Sequence, residues 1–325
     1  DVYKRQPDTL WDDYATRPAA LPENEQTVAN HLTRRDLKLE PPAELNAMAR
    51  NRWLNEMPTE VEVGGRKLTG KELVRWKYQR YMQDYLACVQ GVDDNVGKVL
   101  DYLDQKGLSD STIVIYTADN GWYLGDLGLY DKRFMYEPGL RTPLLVRGPG
   151  VRPGVAPSQF VANIDLAPTF LDLAGLPIPE SMQGRSLAPI LRGEAPSDWR
   201  QSVYYRYYHD PGHHNTRAHY GVRTATHKLI HYWKKDAYEL FDLTKDPTEQ
   251  HNLLFSKDEA ARPEIAAKFA ELKAELVRLQ KQFGDEGQFA DPKTWPAGSA
   301  DGPFDDKQPL GRKSIVDAMR LSARP

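Results

Sequence analysis

The chain has 325 residues, of which 40% are apolar and 27% are charged, and its formal net charge is -3. This length and composition indicate one large α/β domain, or a large domain with a smaller one, and the weak negative charge argues against nucleic acid as a partner. No apolar run is long enough to cross a bilayer, so no transmembrane segment is expected. The single cysteine, Cys88, excludes an intrachain disulfide.

The two ends of the chain carry few signals of regular structure. Residues 1–6 lack an initiating methionine and are interpreted as an assembly scar of the kind found in metagenomic sequences, so the natural chain is expected to begin further upstream. The proline- and charge-rich start of the chain predicts short helices at 23–34 and 42–56 but no strand before residue 65. Residues 286–325 are predicted to form an irregular tail, which ends in a short helix.

The middle of the chain alternates helix and strand signals, as is typical of an α/β domain. Apolar residues recur every three or four positions over residues 69–107, which predicts a long amphipathic helix. Short apolar runs at 111–118 and 143–147 predict strands, the first of them covered by helices on both faces, and a helix is predicted at 165–175. Residues 7–195 are therefore assigned to the α/β domain.

The pattern changes after about residue 196, where tyrosine-rich alternation replaces the α/β order. Short strands are predicted at 203–208, 220–224, 227–232 and 238–242. A helix predicted at 263–283 has an apolar face that would lie against them. We therefore predict a small antiparallel C-terminal subdomain with one packing helix over residues 196–285.

Two side chains with oxygen donors stand at the end of the first predicted strand. Asp119 and Asn120 precede Gly121, and ligands of open α/β sheets bind beyond the carboxyl ends of the strands. A carboxylate beside an amide carbonyl suits a hard cation such as Ca²⁺, although Ca²⁺ takes roughly six to eight oxygen ligands. The alternative is that these residues form an ordinary turn.

A lysine lies shortly after this turn. Lys132 follows a loop that is spaced by Gly121, Gly125 and Gly128, and such a loop is able to fold back toward the end of the strand. An ammonium group there would neutralise charge on a transferring sulfuryl or phosphoryl group. The alternative is a solvated surface lysine beside Asp131.

Residues 116–150 closely resemble the second signature region of the sulfatase family, within the alkaline-phosphatase-like superfamily. Their sequence, YTADNGWYLGDLGLYDKRFMYEPGLRTPLLVRGPG, joins the strand, the Asp-Asn-Gly turn, the lysine and an Arg-x-Pro strand entry. The resemblance continues through NIDLAPT, GVRTATHKLIHYW and YELFDLTKDPTEQHNL. It implies an α/β fold with a mostly parallel sheet flanked by helices, present here in part, followed by the small antiparallel α+β subdomain.

Carried over residue by residue, the resemblance implies that Asp119 and Asn120 ligate one Ca²⁺ and that Lys132 is a catalytic contact to the sulfate group. The nucleophile of such enzymes is a formylglycine made from the first residue of a C/S-x-P-x-R motif, and no such motif occurs in this sequence. Cys88 precedes Val-Gln-Gly-Val within the long predicted helix, so it is rejected as the nucleophile. We therefore expect an N-terminally truncated chain that is inactive alone, with the formylglycine and the other metal ligands upstream.

Two further features near the lysine are interpreted as structural. Many relatives have histidine where this chain has Leu127, which we interpret as a change in the pocket and not as the loss of a metal ligand. Glu137 and Arg141 bracket a strand entry, and a structural ion pair between them is favoured over a catalytic role.

A histidine-rich loop forms the second candidate site. Residues 209–219 read HDPGHHNTRAH, and several hydrogen-bonding side chains on one loop are able to recognise sugar hydroxyls or carboxylates. The resemblance places this subdomain beside the pocket, so His214, Arg217 and His219 are predicted substrate contacts. A histidine metal site that includes His213 and a plain polar loop are the alternatives.

The resemblance predicts the function of the intact parent protein. It implies a sulfuric ester hydrolase that acts on a sulfated small molecule or carbohydrate, such as a glycosaminoglycan or an algal polysaccharide. Export to a periplasmic, extracellular or lysosome-like compartment is expected from the relatives. The alternatives are a phosphodiesterase or phosphonate hydrolase of the same superfamily and a non-catalytic protein that binds sulfated glycans.

Overall fold

The computed structural model describes residues 7–18 and 20–285. Its α-helices are α1 (Ala47–Leu54), α2 (Gly70–Gln105), α3 (Glu137–Leu140), α4 (Leu166–Leu173), α5 (Ala188–Leu191), α6 (Lys257–Ala260) and α7 (Pro263–Gln282). Its strands are β1 (Val61–Val63), β2 (Arg66–Leu68), β3 (Val114–Thr117), β4 (Tyr123–Leu124), β5 (Tyr130–Asp131), β6 (Leu144–Arg147), β7 (Ser202–Tyr207), β8 (His219–Thr224), β9 (His227–Tyr232) and β10 (Ala237–Asp242). The predicted scar and the predicted tail with its helix lie outside the described residues.

The region before α2 differs from the prediction in two respects. A hairpin of β1 and β2 lies where no strand was predicted, and its two turn residues, Gly64 and Gly65, both have positive φ as the tight hairpin turn requires. The helix predicted at 23–34 is wrong, since these residues form turns. Polar side chains bond locally to the backbone there, for example Asn24 to the N–H of Gln26 at 2.8 Å, and so compete with helix formation.

The predicted long helix is confirmed as α2, but only its first half is buried. Leu73, Tyr78 and Met82 pack in the interior, whereas Val92 and Val99 of the second half are exposed. The apolar repeat therefore continues along a surface that nothing among the described residues covers. Its periodicity predicts the helix correctly because periodicity is a local property, while burial depends on the neighbours.

The two predicted strands of the α/β part pair with each other. β3 and β6 run antiparallel, with Val114 opposite Arg147, so the described residues contain no parallel pair of the mostly parallel sheet that was predicted. The physical reason is the connection: the loop after β3 reverses the chain, and no helix crosses over to return it in the same direction. Within the described residues, the first of the two strands is not covered by helices on both faces as predicted, because Tyr116 of β3 is 39% exposed.

The C-terminal subdomain follows the prediction closely. β7 to β10 form one antiparallel sheet in the order β10-β9-β8-β7, and neighbouring strands are consecutive along the chain. Helix α7 packs against this sheet through Leu272, Leu276 and Leu279, which share a core with Val222, Leu229 and Leu240. An amphipathic helix on one face of an antiparallel sheet buries both apolar surfaces.

A second core joins the two predicted domains. Tyr123, Phe134 and Tyr136 of the loop region pack with Ile230, Tyr232 and Phe241 of the C-terminal sheet, and Ala20 and Leu21 complete the cluster. The domain boundary predicted at residues 195 and 196 stays a prediction, but apolar contacts cross it. Among the described residues, no helix combines the length and the hydrophobicity that a membrane span would need.

Candidate functional site

The Asp-Asn-Gly turn follows β3 and is pressed against α3. The N–H of Gly121 donates to the carbonyl oxygen of Gly139 at 3.0 Å. A Cβ atom at position 121 would overlap the carbonyl oxygens of Pro138 and Arg141, so only glycine fits there. The position of Asp119 and Asn120 is therefore set by the backbone of α3.

Asp119 and Asn120 offer the oxygen donors that a hard cation prefers. Asp119 is exposed, and its carboxylate has no hydrogen bond or ion pair to any residue that the structure describes. The Nδ2 group of Asn120 donates to the carbonyl oxygen of Gly121 at 2.7 Å, which leaves the amide Oδ1 atom as a free acceptor. The two residues fit a Ca²⁺ ion chemically. Within residues 7–18 and 20–285, no cluster of three or more His, Cys, Asp or Glu side chains would hold a metal ion.

The short hairpin of β4 and β5 brings Lys132 beside Trp122, which directly follows this turn. Tyr123 pairs with Asp131, so Trp122 and Lys132 extend from the same end of the hairpin. The Nζ atom of Lys132 lies 5.5 Å from the centroid of the Trp122 ring. The edge of that ring is held in place, because its Nε1–H donates to the hydroxyl of Tyr81. Trp122 and Tyr81 were not singled out from the sequence, since their role depends on this pairing.

Leu127 lies in the loop between these strands and belongs to the interior. It is 1% exposed and has a positive φ of 53°. The hydroxyl of Tyr14 donates to its carbonyl oxygen at 2.7 Å, and its own N–H donates to the hydroxyl of Thr9 at 3.0 Å. The side chain at this position therefore packs under the loop.

His214 of the histidine loop contacts the residue next to Lys132. Its Nε2 atom lies 3.2 Å from a carboxylate oxygen of Asp131, which also forms an ion pair with Arg133. Burial raises the pKa of Asp131, but these two partners outweigh it and hold the pKa below its usual value. Asp131 therefore pairs with His214 and Arg133, and the structure brings His214 close to the lysine end of the site.

Arg217 has its charge balanced on the protein surface. It binds Oε2 of Glu23 through Nε at 3.0 Å and through Nη2 at 2.8 Å. Glu23 also accepts a hydrogen bond from Lys235 at 2.9 Å, and these partners lower the pKa of Glu23. An anionic group that binds Arg217 would therefore compete with, or add to, this carboxylate.

His219 is fully buried. Its ring stacks at 5.7 to 5.8 Å, centroid to centroid, on the rings of Phe134, Tyr205 and Tyr207. Its Nδ1 atom is 2.8 Å from the carbonyl oxygen of Arg217, and burial lowers its pKa to about 4. His219 therefore supports the loop from inside, and its predicted contact with substrate stays a prediction. The alternative histidine metal site is not formed by the described residues.

The last candidates from the sequence are Cys88 and the pair of Glu137 and Arg141. Cys88 is exposed on α2. The ion pair that was predicted between Glu137 and Arg141 is wrong, because Glu137 binds Arg223 and Lys228. These two basic residues lie in the C-terminal sheet, far along the chain, so no local sequence signal could have identified them.

Two family models and one curated relative match most of this chain. The family model described as "Sulfatase" matches residues 13–176, and the model described as "N-sulphoglucosamine sulphohydrolase, C-terminal" matches residues 125–282. An N-acetylglucosamine-6-O-sulfatase of Bacteroides thetaiotaomicron is 41% identical over 301 residues, which cover 86% of this chain and 53% of the relative. The chain thus spans about half the length of this curated relative.

Two solved structures show the same fold. One is a protein in complex with its substrate D-glucosamine-2-N,6-O-disulfate, with a TM-score of 0.76 and 37% identity over 88% of this chain and 61% of that chain. The other is a phosphonate monoester hydrolase from Silicibacter pomeroyi, with a TM-score of 0.57 and 32% identity over 66% of this chain and 43% of that chain. The fold is therefore alkaline-phosphatase-like, and the chain belongs to the sulfatase family.

Proposed function

We propose that the protein to which this chain belongs hydrolyses a sulfate ester on a sulfated glucosamine-type sugar. The observation that carries this proposal is the arrangement at the end of β3, where free oxygen donors of Asp119 and Asn120 stand beside the hairpin that holds Lys132. The sugar class is supported by the names of the N-acetylglucosamine-6-O-sulfatase and of the glucosamine disulfate complex to which the chain is similar.

Each residue of the site has a distinct role in this proposal. Asp119 and Asn120 would hold a Ca²⁺ ion, which supplies positive charge to polarise the sulfate ester when it is bound. Lys132 binds the sulfuryl oxygens, and the face of Trp122 keeps its ammonium group in place without using its N–H donors. His214 and Arg217 are proposed to contact the sugar. The nucleophile is proposed to be a formylglycine. It would lie in the part of the full-length enzyme that corresponds to the unmatched part of the relative.

A phosphonate or phosphate diester hydrolase is the second candidate. It is favoured by the similarity to the phosphonate monoester hydrolase, at 32% identity. A cation and a lysine stabilise the charge on a phosphoryl group by the same physics, so this half of the site does not distinguish the two reactions. Export of the protein is a further proposal, and it rests on the resemblance to the family.

The test uses the full-length enzyme with and without the substitutions Asp119→Ala and Lys132→Met. We expect sulfate release from N-acetylglucosamine-6-sulfate, loss of activity in EGTA and recovery with Ca²⁺. The Kd for Ca²⁺, measured by calorimetry, should rise at least about 10-fold in Asp119→Ala, since even outer-shell changes have effects of this size. Lys132→Met should lower kcat about 100-fold and leave the Kd for Ca²⁺ unchanged, because the lysine stabilises charge in the transition state.

Lys281→Met on α7 serves as the matched control, because Lys281 is exposed and lies on the C-terminal helix. It should leave both quantities unchanged. Faster turnover of an aryl phosphonate monoester than of the sulfated sugar would assign the enzyme to the second candidate. Saturable binding of the sulfated sugar without turnover of either substrate would refute hydrolysis and favour a glycan-binding protein.

A further inference from the structure

A buried ionic cluster connects the C-terminal subdomain to α3. The ammonium group of Lys228, on β9, lies 2.8 Å from Oε1 of Glu137 and 2.6 Å from Oε1 of Glu249. Lys228 and Glu249 are both 0% exposed. Arg223, on β8, binds the carboxylate of Glu137 through two nitrogens at 3.2 Å each. Two carboxylates and two cations therefore meet at the first residue of α3.

Glu249 also holds the backbone of α3 directly. Its Oε2 atom accepts a hydrogen bond from the N–H of Glu137 at 2.6 Å. Glu249 has a φ of 56°, which costs free energy for a residue with a side chain, and Arg17 donates to its carbonyl oxygen. Such a conformation persists only where the surroundings determine it. Arg17 holds the backbone of Glu249, while Lys228 and the N–H of Glu137 hold its carboxylate.

Loss of one partner from this cluster would lower the stability of the folded protein. Lys228 and Arg223 lower the pKa of Glu137 despite its burial, whereas the burial of Glu249 raises the pKa of that carboxyl against the attraction of Lys228. A buried charge without its partner destabilises a protein strongly. We expect the removal of one member to displace α3, because Glu137, its first residue, contacts all the other members.

The other end of α3 touches the candidate metal site. Gly139 accepts the N–H of Gly121 at 3.0 Å, and the carbonyl oxygens of Pro138 and Arg141 fill the space beside the Cα atom of Gly121. The helix is only four residues long, so its two ends are one turn apart. A displacement at Glu137 is therefore passed to the turn that carries Asp119.

We infer that Glu249 and Lys228 are positioning residues for the metal-binding turn, and that they act through α3 on Asp119 and Asn120. This inference rests on the proposed function in one respect, namely that the turn binds Ca²⁺. It assigns a role to two segments that the resemblance singled out, 221–233 and 238–253, because Arg223, Lys228 and Glu249 come from them. Neither residue needs to contact the substrate or the metal.

The experiment uses the full-length enzyme and compares Glu249→Ala with Glu249→Gln. Alanine removes the acceptor for the N–H of Glu137, whereas glutamine keeps one. We expect the Kd for Ca²⁺ to rise about 10-fold in Glu249→Ala, a typical effect for outer-shell partners, and less in Glu249→Gln. Hydrogen–deuterium exchange of the metal-free enzyme should show faster exchange of the peptide that contains Gly121 in Glu249→Ala than in the wild type.

Asp285→Ala is the matched control. Asp285 is 5% exposed and binds the hydroxyl of Tyr204 at 2.5 Å and the guanidinium of Arg206, and the structure shows no hydrogen bond or ion pair from any of these residues to α3. It should lower the melting temperature without changing the Kd for Ca²⁺ or the exchange at Gly121. If Glu249→Ala does not fold, Glu249→Gln and Lys228→Met give the same comparison, with the larger loss of affinity expected in Lys228→Met.

The outcomes separate the inference from the proposed function. Unchanged exchange at Gly121 in the folded Glu249 and Lys228 variants, or an equal rise of Kd in Asp285→Ala, would overturn the inference. A wild-type enzyme that binds no Ca²⁺ would overturn the proposed function, while faster exchange at Gly121 in Glu249→Ala would still support the mechanical connection from Glu249 to the turn.

Discussion

At the level of single residues, Lys132 and His219 differ in their surroundings and therefore in what they are able to do. Lys132 lies half-buried over the face of Trp122, an interaction that contributes about 0.5–1 kcal/mol and leaves its three N–H groups free for an anion. His219 is enclosed by aromatic rings and has a pKa of about 4. The first side chain is able to bind a charged ligand, whereas burial keeps the second neutral near pH 7.

The burial of His219 predicts a pH dependence of stability. Its pKa is 6.5 in the unfolded chain and about 4 in the folded protein, so between these values the unfolded state binds more protons and the free energy of unfolding falls as the pH falls. At pH 5 this loss amounts to about 2 kcal/mol relative to pH 7.5. His219→Phe keeps a ring of similar size and abolishes the titration.

We therefore expect the stability advantage of the wild type over His219→Phe to shrink by about 2 kcal/mol between pH 7.5 and pH 5, as measured by urea unfolding. The difference between the two proteins is the relevant quantity, because Glu239 titrates in both. Burial raises the pKa of Glu239 to about 7, so its contribution has the opposite sign and is lost as the pH rises. A constant difference across this pH range would contradict the neutral, buried state of His219.

At the element scale, Asp165 organises the start of α4. Its carboxylate is fully buried and accepts the N–H of Ala162 at 2.8 Å and the N–H of Arg185 at 2.8 Å. The guanidinium of Arg200, just before β7, binds both of its oxygens. One side chain therefore joins a helix, a loop and the entry to the C-terminal sheet, and the segment NIDLAPT is explained by structure without a catalytic role for this aspartate.

Asp165→Ala should lower the free energy of unfolding by about 3 kcal/mol, because it leaves two backbone N–H groups and a partly buried guanidinium without their partner. Asp198→Ala is the matched control. Asp198 pairs with Arg185 at 2.9 Å, but its side chain is 76% exposed, so its removal should change stability by less than about 0.5 kcal/mol. Urea unfolding of both variants measures this, and equal effects would show that Asp165 does not link these elements.

At the scale of the whole molecule, the C-terminal sheet is buried on both faces, whereas the β3 and β6 pair is not. The sheet β7 to β10 packs on α7 on one side and on the loop region of residues 123–136 on the other. In the α/β part, by contrast, Tyr116 of β3 and Leu145 of β6 face each other across the strand pair and are both exposed. Side chains on this strand pair therefore contribute less buried apolar surface than those of the C-terminal sheet.

Two leucine-to-alanine substitutions test this distribution. Leu240→Ala removes a 0% exposed side chain from between the sheet and α7 and should lower the free energy of unfolding by about 3 kcal/mol. Leu145→Ala removes a 65% exposed side chain and should change it by less than about 0.5 kcal/mol in this chain. A large effect of Leu145→Ala, measured by urea unfolding, would contradict the exposure of the β3 and β6 pair.

Elements whose signals are local could be predicted from the order of the amino acids alone. The apolar repeats of α2 and α7, the alternation in β7 to β10 and the placement of Asp119 and Asn120 directly after a strand were all readable in chain order. Helix and strand periods place side chains on one face whatever the rest of the molecule does. The glycine spacing likewise predicted that Lys132 returns toward the strand end, and the pairing of β4 with β5 brings Lys132 beside Trp122.

Burial and the pairing of side chains, in contrast, became apparent only in the folded chain. Three contacts show this: Lys132 lies over Trp122, His214 lies beside Asp131, and Lys228 lies between Glu137 and Glu249. The partners are distant along the chain or, for Lys132 and Trp122, are brought together by the pairing of β4 with β5. Burial and pairing of charged groups are set by atoms that come together on folding, and a residue's own type does not specify them. For the same reason, the sequence singled out His219 but gave no sign that its ring is buried.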